Sequence, residues 1–153
     1  MQVKTTTAII ALITMSAALC APLTAQASDR KVMLPIEAAL TDRNAENKLD
    51  DSVKLFFGKQ ATPKVLKRIA SDKTSQRTNA FGKSDAKACN WVFLSSLLQL
   101  QKRAREYGAN AVVNIVSNYN NIENSNDSEF ECHAGAIMAG VALKGDFVKI
   151  AEK

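Results

Sequence analysis

The chain has 153 residues and a formal net charge of +5; 46% of it is hydrophobic but only 6% aromatic, with three cysteines and one histidine. That length is one domain's worth. So few aromatics beside so many bases argue against nucleic-acid binding, which interleaves stacking rings with cations. The longest apolar run, Ala8 to Leu19, falls short of the roughly 20 residues a membrane-spanning helix needs.

Met1 to Ala27 reads as an export signal: Lys4 supplies an early positive charge, the apolar run follows, and Ala25-Gln26-Ala27 forms an A-x-A cleavage site before Ser28. The mature chain, residues 28 to 153, is therefore expected in the periplasm. Cys20 follows Leu19, where lipoprotein signals want a small residue, so no acylation is expected. Loss of the first 27 residues removes one cysteine and one lysine, leaving two cysteines and a net charge of +4. An even pair in an exported protein predicts one disulfide, Cys89 to Cys132. Closing that loop is worth roughly 3 to 4 kcal/mol on the chain-entropy model.

Arg30 to Gly58 carries two apolar patches, Val32 to Ile36 and Val53 to Phe57, read as short strands around the polar segment TDRNAENKLDD, with a helical turn around Glu37 to Leu40. Pro63 bars a central strand at its position. Lys64 to Thr78 alternates loosely, with Val65, Lys67, Ile69 and Ser71 on one side, and reads as an edge strand.

The segment from Ala86 to Ser117 organises the chain. Cys89, Phe93, Leu97, Leu100, Ala104 and Tyr107 recur at steps of three or four and line one helix face, opposite Ser95, Gln99, Lys102 and Glu106. Asp85 puts a carboxylate at the positive helix end and Gly108 supplies a left-handed cap. Asn110 to Ser117 is rich in β-branched residues, and Phe130 to Leu143 is dense in Ala and Gly; the two read as a hairpin. Gly135 and Gly140 suit a bulge or close approach of the helix. The intervening Asn118 to Glu129, with five Asn and three acids, reads as a solvated loop.

Charge is uneven: Lys54 to Arg105 holds twelve Lys or Arg against Asp72 and Asp85, whereas Glu106 to Leu143 holds five acids and no base. The basic stretch is read as a solvated face.

Three constellations carry residue types that could do chemistry. Gly82-Lys83-Ser84 resembles the end of a phosphate-binding loop, but the first glycine of that motif falls at Arg77 and no buried strand precedes it. Cys89, Cys132 and His133 are one ligand short of a structural zinc site, and neighbours in a strand point to opposite faces, so His133 turns away from the thiol it would have to activate. Glu123, Asp127, Glu129 and Glu131 could gather calcium, yet no glycine-centred calcium motif is present.

Set in order, Cys89, the helix, Gly108-Ala109-Asn110-Ala111-Val112-Val113 and Cys132 resemble the Rcs stress-sensor lipoprotein and the small YbjQ-like domains. The resemblance covers about Lys64 to Leu143 and implies a compact antiparallel sheet behind a helix. The segments ACNWVFLSSL and FECHAGA are also similar to those of a group of small exported proteobacterial proteins of unknown function, some labelled as excinuclease or ATPase. The sensor uses two disulfides and a lipid anchor, whereas this chain is expected to have one disulfide and no acylation, so the sensor's signalling is not carried over.

The expectation is an α+β domain: an antiparallel sheet of four or five strands with one long amphipathic helix packed on one face. Cys89 and Cys132 are its only assigned site residues; no catalytic, cofactor-binding or metal residue is assigned. The expected role is non-catalytic binding of another envelope protein in stress sensing, with no nucleic acid and no stable membrane insertion. A small-ligand or metal-binding module is the alternative, and a periplasmic enzyme the third reading.

Overall fold

A computed structural model describes residues 29–41, 48–49 and 51–151. The expected export signal, its cleavage site and Cys20 lie outside the described residues. The elements run β1 (Arg30–Pro35), α1 (Ile36–Leu40), β2 (Lys54–Phe57), β3 (Val65–Asn79), α2 (Asp85–Glu106), β4 (Ala111–Tyr119), β5 (Ile122–Asn124), β6 (Glu129–Ala134) and β7 (Met138–Ile150). The fold is α+β, but the sheet has seven strands and is mixed, larger than the four or five antiparallel strands expected.

The helix forms as its periodicity requires. Ser84 caps it, its side chain accepting from Lys87 N at 3.3 Å, and Asp85 opens the first turn. At the far end Gly108 takes φ +71°. Gly108 N donates to Arg105 O and Ala109 N to Ala104 O, the paired bonds of a Schellman stop. Cys89, Phe93, Leu97, Leu100 and Ala104 are fully buried, as is Val92. Tyr107 departs from that face: it is 55% exposed, its ring only leaning on Phe147 with centroids 5.7 Å apart.

Long β7 is the spine of the sheet. One of its edges pairs with β3 over its whole length, while the other is shared, β6 pairing at Gly140 and Ala139 and β4 from Leu143 to Val148. β1 continues outward from β6, and β5 pairs with the end of β4. Among the described residues the one parallel pair is β2 with β4. The crossover between them contains β3 and α2, ample for the long return that parallel pairing requires.

Three strand readings are corrected. Phe130 to Leu143 is not one strand: it folds back at a tight turn in which Gly135 N donates to Met138 O at 2.8 Å, so β6 and β7 make the hairpin, and β4 turns instead into β5. The Asn-rich stretch is therefore partly ordered, with Asn120 and Asn121 at φ +51° and +61° in a tight turn, a conformation Asn tolerates. On β3, Val65 and Ile69 do not share a face, because two register shifts intervene: Ile69 joins the main core and Val65 a smaller cluster on the other side with Ala111, Val113, Val148 and Ile150. At Gly140 an added Cβ would meet Gln76 and Arg77 of β3 at ordinary contact rather than the helix; the tight approach is at Gly145, where it would meet Val112 Cγ1 of β4 at 2.5 Å.

Candidate functional site

β6 has two sides, and its alternation separates them. Phe130, Cys132 and Ala134 point to α2: the Phe130 ring stacks on Phe93, centroids 3.9 Å apart, and Cys132 is bonded to Cys89 with their Cα atoms 5.9 Å apart. Glu131 and His133 point the other way, so the expected divergence of Cys132 and His133 holds.

On that outward side lies a compact polar network. His133 Nδ1 is 3.2 Å from Asp29 Oδ1 and its Nε2 is 2.8 Å from Glu131 Oε1, while Lys31 Nζ lies 2.8 Å from Glu131 Oε2. Asn124 Nδ2 donates to the same Glu131 oxygen at 3.0 Å. Tyr119 at the end of β4 lays its ring flat on the imidazole, centroids 3.3 Å apart, and its hydroxyl donates to Asp29 Oδ2 at 2.6 Å. Burial alone would push the Glu131 carboxyl up, but the bonds from Lys31, Asn124 and His133 outweigh it and hold the group down at about 2. Tyr119 is raised, first by its bond to Asp29 and then by burial.

Both ring nitrogens of His133 thus face carboxylates, on opposite sides of the ring. They diverge, so Asp29 and Glu131 cannot chelate one ion together with it. Among the described residues no group of three or more His, Cys, Asp or Glu is placed to hold a metal. The remaining loop acids are dispersed: Glu123 pairs with Lys144, Asp127 accepts from Lys59 N at 2.7 Å, and Glu129 accepts from Asn126. The phosphate-loop look-alike is a helix start, with Lys83 Nζ donating to Asn79 O at 2.6 Å and Ser84 serving as the cap. In the sequence His133 stands beside a thiol and possible metal ligands only. Its real partners include Asp29, distant along the chain, and the one local signal was the polar alternation Glu131, His133 opposite Phe130, Cys132.

A second region stands out by exposure. At the end of the sheet where β3 leads into α2, Phe81 is 75% exposed, and in the β6–β7 turn Ile137 is 64% and Met138 44% exposed. The two turns are tied together, Ala80 N donating to Ile137 O at 2.9 Å, while Phe81 N donates to Asn79 Oδ1 at 2.8 Å. From Thr78 and Lys83 a groove of about 420 Å³ runs along Ala88, Trp91 and Leu94 of α2. Trp91 is 44% exposed with Lys48 Nζ 4.2 Å from its ring centroid, and Lys87 stands on the groove wall.

No protein-family model matches this chain, no curated protein matches it, and no solved structure matches it. Among the described residues no helix is long and apolar enough to cross a membrane.

Proposed function

We propose that the protein is a non-catalytic domain of the periplasm that docks another envelope protein through the Phe81, Ile137 and Met138 end of its sheet. The carrying observation is that these three large apolar side chains are exposed on two turns joined by the backbone hydrogen bond from Ala80 N to Ile137 O. Apolar groups presented on a rigid frame lose little conformational entropy on binding, and a cluster of them rimmed by polar residues is the usual mark of an interface. Lys83 and Lys87 on the adjoining groove and Lys48 at Trp91 set the sign of the rim. The partner that fits is a segment with apolar side chains flanked by carboxylates. A part in envelope stress rests on the sequence resemblance of the Gly108 to Val113 turn to the Rcs sensor.

A photocrosslinking amino acid placed at 81, with one at Leu66, itself 62% exposed, as control, tests this in cells. A discrete adduct from position 81 that is absent at 66 and weakened at least fivefold by Lys87→Glu is the expected result. No adduct at 81, or the same adducts at both positions, overturns the docking role.

A further inference from the structure

On the face of the sheet away from α2, the outward side of β3 and the β4–β5 turn enclose a cleft of about 380 Å³. That size lies in the range of roughly 300–1,000 Å³ common for small-molecule sites. Its charged lining is wholly cationic: Lys73 and Arg77. Asn118, Tyr119, Asn120 and Asn121 of the β4–β5 turn line it with them, together with Thr74, Ser75 and Ala142.

The parts are held in place before any ligand arrives. Lys73 Nζ donates to Asn121 Oδ1 at 2.7 Å, which fixes both the ammonium and the amide. Tyr119 is clamped between the His133 ring and the Asp29 carboxylate. The stem of Arg77 lies beside Gly140, where an added Cβ would come within 3.7 Å of Arg77 Cγ. The Arg77 guanidinium makes no hydrogen bond or ion pair among the described residues, although its backbone lies in the β3–β7 ladder, and it lies close enough to Tyr119 to act on the phenol electrostatically. The acids that could neutralise the cleft are engaged elsewhere: Glu123 with Lys144, Glu131 with Lys31 and His133, and Asp29 with Tyr119 and His133.

Two cations with no carboxylate between them select an anion, and a planar guanidinium in particular matches the two oxygens of a carboxylate or phosphate. Amides that both donate and accept suit hydroxyl groups, while Ala142 and the Tyr119 ring give the lining an apolar part that suits the carbon face of a sugar ring. We propose that this cleft binds an anionic sugar, a hydroxylated ring carrying a carboxylate or a phosphate, with Arg77 and Lys73 on the anion and the Asn amides on the ring hydroxyls. The site is distinct from the Phe81 end, so either assignment can fail without the other.

Titration of the full chain, followed by nitrogen-15 amide and guanidinium resonances, decides it. Glucuronate and glucose 1-phosphate separate the carboxylate from the phosphate source, while glucose and inorganic phosphate are the single-feature controls. Saturable shifts at Arg77 Nε and the side-chain amides of Asn118 and Asn121 are expected with at least one anionic sugar, at least tenfold tighter than with either control. Arg77→Gln should weaken binding at least tenfold, whereas Lys102→Gln, exposed on α2 and outside the cleft, should leave it unchanged. The assignment is overturned by an absence of saturable shifts, by equal binding of inorganic phosphate or glucose, or by binding that survives Arg77→Gln in a variant whose remaining spectrum is native.

Discussion

The two sides of β6 are stabilised by different physics. Towards α2, Phe130, Cys132 and Ala134 sit in an apolar core with Phe93, Leu97 and Val92, where the gain is area removed from water and tight packing. Away from it, Glu131 and His133 are joined to Lys31, Asn124, Tyr119 and Asp29, where the gain depends on every buried polar atom finding a partner. The first side degrades gradually when trimmed. The second is sensitive to the loss of any one member, because the others are then left desolvated and unpaired.

The sharpest way to break the apolar side is at its covalent staple. Replacing both Cys89 and Cys132 with Ala should lower unfolding free energy by about 3–4 kcal/mol, since the bond closes a loop of 43 residues' separation. Denaturant titration measures it, and a loss under about 1 kcal/mol would mean that packing alone holds α2 on the sheet.

Glu131→Gln probes the polar side. The native carboxyl is held at about 2 against an ordinary 4.5, so its contribution is complete above pH 4.5 and is lost as pH falls through about 2. The variant should therefore be about 2–3 kcal/mol less stable at neutral pH, and the gap from wild type should close as pH falls from about 4.5 to 2. A gap that stays constant over that interval contradicts the network's hold on this group.

How much of this contrast could be read in advance depends on sequence distance. The helix, its cap at Gly108 and the Cys89–Cys132 pair were legible because a period of 3.6, a left-handed stop and an even cysteine count are local or compositional signals. The end of β7 was not, because Lys144, Gly145, Asp146 and Lys149 interrupt the apolar pattern of a strand that is nonetheless central. Nor was the parallel pairing of β2, which is decided by the crossover rather than by its own four residues. Of the polar network only the alternation on β6 was visible; Asp29 and Lys31 come from the far end of the described chain and Tyr119 from a strand expected to end at Ser117.

The smallest expected effect sharpens the comparison most. Tyr119→Phe keeps the ring on His133 and removes only the hydroxyl that donates to Asp29, so it should cost about 0.5–1.5 kcal/mol in thermal or chemical unfolding. A loss as large as that of Glu131→Gln would show that Asp29, rather than Glu131, is the centre of the network.

β3 has one further consequence, for the behaviour of many copies together. Among the described residues it pairs only with β7, so the other edge of this 15-residue strand offers a long row of backbone donors and acceptors to any chain able to align with it. Lys67, Arg68, Lys73 and Arg77 stud the strand, and two irregularities near its start kink it. Two such edges brought side by side would set cation against cation and fail to keep register. The basic stretch of the sequence thus acts as a guard against edge-to-edge aggregation, keeping an uncovered strand colloidally safe at high local concentration.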